Sequence, residues 1–76
     1  MTNEQFETFA RIMNYLSDNY PERKMDLGLV EHYFHDLKHA EVTLDEFKMA
    51  ALYHVATATH FPYVAELLTI IKNVKR

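Results

Sequence analysis

Apolar residues recur along this chain at steps of three and four, the repeat of helices that turn one face inward. Phe6, Phe9, Met13, Leu16 and Tyr20 form the first stripe, with Ile12 beside it. Thr2 or Asn3 is placed to cap this helix, and Glu4 and Glu7 favour its positive dipole end. Asp18-Asn19-Tyr20-Pro21 should stop it, because Asn and the position before proline both disfavour continuation. After a connector, Glu22-Arg23-Lys24-Met25, Asp26 can cap a second helix whose stripe is Val30, Tyr33, Phe34 and Leu37. Ala40-Glu41-Val42 leads out of it.

Thr43 with Glu46 three residues later is a capping box, the best-defined helix start in the chain. The third helix is expected to bury Leu44, Phe47, Ala51, Leu52, Val55 and Ala58, while its small residues Ala50, Ala51, Ala56 and Ala58 let a neighbour approach closely. It runs into a joint, His60-Phe61-Pro62. Proline suits a first helical turn and biases the residue before it away from the α region, so the chain should bend at Phe61. A fourth helix is therefore predicted from Pro62, presenting Val64, Leu67, Leu68 and Ile71.

One glycine and two prolines in 76 residues are too few turn formers for hairpins or a barrel. The expectation is a single all-α domain over residues 1–76, a compact bundle of three to four short helices joined by short connections. A chain of this length buries only about 60–65% of its unfolded surface, so the stability margin is thin. Forty-nine per cent hydrophobic residues against 25% charged ones describes a globular chain, not a disordered one. There is no cysteine, hence no disulfide or thiolate metal site, which suits a cytoplasmic protein. No leader and no apolar run near the roughly 18 residues of a membrane span are visible, so no membrane association is expected. A formal charge of −3 argues against direct nucleic-acid binding, which leans on phosphate neutralisation. Lys72, Lys75 and Arg76 make the last turn basic, complementing a helix C-terminal dipole.

Catalytic constellations are missing. Gly28 is the sole glycine, Ser17 the sole serine, and the carboxylates are spread along polar faces without a paired acid and base. No catalytic residue, cofactor, small-molecule substrate or metal is assigned. His32, His35 and His39 share one side of the second helix with Asp36, opposite the apolar stripe. Imidazoles at i and i+4 can hold zinc, but His35-Asp36-Leu37-Lys38-His39 lacks the glutamate of the metalloprotease helix and no fourth ligand is near. A solvated or partner-contacting face is the favoured reading. His54 and His60 read as structural, with His60 placed to donate to the last carbonyls of the third helix. Tyr15, Tyr53, Tyr63 and Ile70 fit the stripes less well and are candidates for a protein-binding face, together with the three histidines.

The order of these features resembles that of the small bacteriophage helicase loader and inhibitor proteins. The resemblance is carried by Tyr15 to Tyr20 closed by Pro21, by Val30-Glu31-His32-Tyr33-Phe34-His35-Asp36-Leu37, and by Thr43-Leu44-Asp45-Glu46-Phe47 leading to Ala50-Ala51. Its clearest element is His60-Phe61-Pro62 followed by Val64-Ala65-Glu66-Leu67. It implies a non-enzymatic protein that binds a replicative helicase, or the helicase's loader, and modulates its loading or activity in the host cytoplasm. Tyr63 departs from the second proline common in that family. Those proteins also carry a C-terminal extension implicated in gripping the helicase, and this sequence stops at Arg76. Either an extension is missing or the folded domain carries the contact. The alternatives are a small phage antagonist or regulator of another bacterial protein, with a homodimer compatible with it, and a small DNA-binding regulator.

Overall fold

The computed structural model describes residues 1–74. A 3-10 turn, Asn3–Gln5, leads into α1 (Phe6–Asn19), followed by α2 (Leu27–His39), α3 (Leu44–Thr57) and α4 (Val64–Val74). The fold is all-α, as the spacing predicted, and no strand occurs among the described residues. Each helix packs on two others in the order α1, α3, α4, α2 and back to α1, so the four close a ring around one core. The radius of gyration, 11.4 Å, is that of a fully compacted chain of this length, about 11 Å. Lys75 and Arg76, assigned from sequence to a basic last turn, lie outside the described residues.

Local chemistry sets the helix ends. Asp26 Oδ1 accepts the Leu29 N–H at 2.9 Å and starts α2. Thr43 Oγ1 accepts from Glu46 N–H at 3.1 Å while Glu46 Oε1 accepts from Thr43 N–H at 2.8 Å, the reciprocal pair expected for α3. At the end of α2, Glu41 adopts a left-handed φ of 61°. That turn lets Glu41 N–H reach the Lys38 carbonyl and Val42 N–H reach the Leu37 carbonyl, each at 3.0 Å, a Schellman closure with Val42 and Leu37 both buried.

The core is aromatic at its centre. The Phe9 ring stacks on Phe47 at 4.4 Å and meets Phe34 edge-on at 5.2 Å, with Phe6 edge-on to Phe34 from the other side. Met13, Leu16, Leu37 and Leu67 are fully enclosed around them. In α3 the buried stripe is Phe47, Ala50, Ala51 and His54, spaced i, i+3, i+4, i+7. This corrects the predicted face. Leu52 is 49% exposed, Ala56 is exposed, and Leu44, Val55 and Ala58 are only half-buried. Apolar residues surround α3 on nearly every side, so hydrophobicity alone could not choose, and a histidine took the place where an aliphatic was expected.

Candidate functional site

The connection from α3 to α4 is the part of the molecule richest in directed polar contacts. Phe61 and Pro62 are buried, and three side chains from elsewhere fix the backbone around them. Tyr33, in the buried stripe of α2, donates its hydroxyl to the Pro62 carbonyl at 2.8 Å. Tyr20, closing α1, points its hydroxyl at the carbonyls of His54 and Ala58, 3.3 and 3.1 Å away. His54 Nε2 donates to the His60 carbonyl at 2.7 Å. The Phe61 ring lies edge-on between Tyr20 and Tyr33, with the Arg23 guanidinium 5.9 Å above it. Burial pushes the hydroxyl pKa of Tyr20 and of Tyr33 above its ordinary value, so both stay protonated donors at neutral pH.

Two expectations for this joint are corrected. Pro62 precedes α4 instead of opening it. Tyr63 caps the helix, its carbonyl accepting from Glu66 and Leu67 N–H while its own N–H donates to Glu66 Oε1 at 2.9 Å. This is the glutamate half of a capping box with a tyrosine in the cap position, and no Ser, Thr, Asp or Asn advertised it. His60, for its part, does not reach the last carbonyls of α3. Its Nε2 donates to Glu66 Oε2 at 2.7 Å, and the ring stands perpendicular to His54 at 5.2 Å. The backbone N–H of Tyr63, with His60 adding to it, holds the Glu66 carboxyl below the usual carboxylate range.

Sequence reading therefore missed a cluster. His54, His60 and Glu66 each bring one metal-ligating atom within 4.8 Å of the other two, the one such group of three among the described residues. These are the donors of a borderline transition ion: two imidazoles and a carboxylate. The signal was present in the spacing, since His54 continues the Phe47, Ala50, Ala51 stripe toward the joint and Glu66 is the third residue after a cap. The stripe of His32, His35 and His39 is not drawn together in this way. His32 Nε2 pairs with Asp36 Oδ2 at 3.2 Å, and His35 and His39 stand exposed, bordering a shallow depression with Val64 and Leu68.

The remaining candidates are dispersed. Tyr15, 41% exposed, lines a groove of about 290 Å³ between α1 and α3 with Thr8, Ile12, Ala51 and Leu52, and Arg11 and Lys48 stand at its rim. Tyr53 is exposed on α3, and Tyr63, 70% exposed, borders a depression beside Arg23, His60 and Phe61. Ile70 is half-buried against the core, where greater exposure was expected, because α4 places it beside the Leu67–Ile71 face. Leu52, assigned to the core from sequence, is the residue that turns Tyr15 from an isolated ring into part of an apolar channel. No family model, no curated protein and no solved structure matches this chain.

Proposed function

We propose that this chain acts by contact and not by catalysis, seating an amphipathic helix of a protein partner in the groove between α1 and α3. The observation that carries the reading is the pairing of Tyr15 and Leu52, two large half-exposed side chains, over a floor of Ile12 and Ala51. Helix-in-groove recognition uses such a trough, with apolar anchors of the visiting helix entering at three- and four-residue spacing. Arg11 and Lys48 at the rim favour acidic residues flanking those anchors. Arg11 is already paired with Glu7 at 2.9 Å, but that pair is largely solvent-exposed and exchanges at little cost.

The resemblance carried by His60-Phe61-Pro62 and Val64-Ala65-Glu66-Leu67 adds the identity of the partner: a replicative hexameric helicase or its loader, met in the cytoplasm of a host bacterium. Binding would then alter ring loading or ATP turnover stoichiometrically. No helix among the described residues is long and apolar enough to cross a membrane. The test is a pull-down of purified helicase and loader by the untagged chain, repeated with Leu52→Asp and Tyr15→Ala. Capture at micromolar concentration by the native chain, with at least a tenfold loss in Leu52→Asp, supports the reading. Absence of capture overturns the choice of partner. Equal capture by the variants overturns the groove.

A further inference from the structure

We propose that His54, His60 and Glu66 form a binding site for a first-row divalent metal ion, zinc being the best fit. The proposal is independent of the groove and of any partner. Three elements converge on the site: His54 from the last turn of α3, His60 from the connection, and Glu66 from the first turn of α4. Two nitrogen donors and one oxygen donor exclude magnesium and calcium, which want oxygen throughout, and suit a tetrahedral zinc ion with one position left for water.

Ligation shifts the spacing of the donor atoms by up to about 1.5 Å. A tetrahedral ion with bonds of about 2.0–2.1 Å separates its ligand atoms by about 3.3 Å. The present ligand atoms lie within 4.8 Å of one another, and His60 Nε2 sits 2.7 Å from Glu66 Oε2. Binding therefore replaces the proton shared along that contact with the ion and widens it by about half an ångström. His60 and Glu66 are partly exposed, with side-chain accessibilities of 55% and 35%, so both the proton and an incoming ion have a path. His54, at 3%, forms the enclosed side of the site.

Supporting contacts are already in place. Glu66 Oε1 is held by the Tyr63 N–H, which orients the carboxylate and leaves Oε2 for the ion. His54 Nε2 donates to the His60 carbonyl at 2.7 Å, so ligation goes through Nδ1, or through Nε2 with the ion taking the place of that bond. Hydrogen bonds from ligand residues to backbone groups are the usual means of fixing ring tautomer and carboxylate orientation in metal sites. An ion here would tie the end of α3 to the start of α4 through three side chains, adding a non-covalent crosslink across the joint.

The test uses the full chain without a histidine tag, freed of metal by chelation and titrated with zinc chloride by calorimetry, with thermal melting in parallel. One ion per chain is expected, and at a hundredfold excess over Kd the melting temperature should rise by roughly 10 °C or more. Cobalt(II) should give the strong visible absorption of a tetrahedral site. His60→Ala changes an exposed side chain and keeps the helical spectrum, so its loss of zinc binding and of the cobalt band by at least tenfold supports the assignment. Glu66→Gln should weaken binding similarly. A variant carrying His32→Ala, His35→Ala and His39→Ala should bind as the native chain does. No heat and no thermal shift with the folded native chain at 100-fold molar excess of zinc overturns the proposal. So does binding that survives His60→Ala or disappears in the triple variant.

Discussion

Around Phe9, phenylalanine rings from α1, α2 and α3 meet in stacked and edge contacts. Around Phe61 the neighbours are tyrosines and a histidine, and each brings a polar atom that must find an acceptor. The first region is held by apolar burial, which depends on area and packing and tolerates small rotations. The second is held by bonds that specify the path of the backbone carbonyl by carbonyl. A four-helix ring needs both, because burial brings α4 against α3 but does not dictate where the chain turns between them. Among the described residues no buried side-chain nitrogen or oxygen lacks a partner, so the polar half adds specificity without leaving an orphan.

Removing mass from the apolar region should have the largest effect. Phe47 is fully buried against Phe9, and Phe47→Ala is expected to cost about 3–5 kcal/mol. A domain of this size has roughly 4–11 kcal/mol in total. Urea denaturation of the variant should show a midpoint lowered by at least about a quarter of the native value. A loss under about 1.5 kcal/mol would mean the ring of helices collapses around the gap, and the contrast between the regions would dissolve.

That contrast was half legible in the sequence. The stripes Phe9, Met13, Leu16 and Val30, Tyr33, Phe34, Leu37 stand out by period because most of the other positions in α1 and α2 are polar. The capping box at Thr43 and Glu46 was equally readable, since its chemistry is local. On α3 the period failed: Leu44, Ala50, Ala51, Leu52, Tyr53, Val55 and Ala56 leave no polar side to contrast with, and the face was settled by what α1 and α4 could pack against. The joint was recognised as a bend, but its bonds link residues 29 to 38 positions apart, Tyr33 to Pro62 and Tyr20 to His54 and Ala58. No local pattern encodes those partners. The His54, His60, Glu66 cluster is different: its members lie six positions apart in turn, and it went unread because each residue had a sufficient local explanation of its own.

Tyrosine hydroxyls give the second, intermediate test. Tyr33→Phe removes the donor to the buried Pro62 carbonyl while keeping the ring beside Phe61, and should cost about 1–3 kcal/mol. Tyr20→Phe should cost less. Its single proton is divided between two longer contacts, and the His54 carbonyl keeps the Ala58 N–H at 2.8 Å. Chemical denaturation of both variants checks the order. If the two are equal, or if neither departs from native, the carbonyls at the joint are being satisfied by water and directional bonding is not what sets the turn.

Acid should separate the two regions by the smallest but most selective effect. Glu66 is held below the ordinary glutamate pKa of about 4.3, first by the Tyr63 N–H and further by His60. A carboxyl depressed on folding contributes stability that is fully present above its unfolded pKa and is lost as pH falls through its folded value. Between neutral pH and about pH 5 the contribution is therefore constant, and below about 4.3 it declines. Glu66→Gln should be less stable than the native chain near neutrality, by a margin that narrows as the pH is lowered through this window, with chelator present throughout. Amide exchange followed over the same range should show the first turn of α4 opening before the Phe9–Phe34–Phe47 cluster, whose rings carry no titratable group. Uniform loosening of both regions, or a margin independent of pH, would assign the acid response to carboxylates elsewhere and leave the cap at Tyr63 with no part in it.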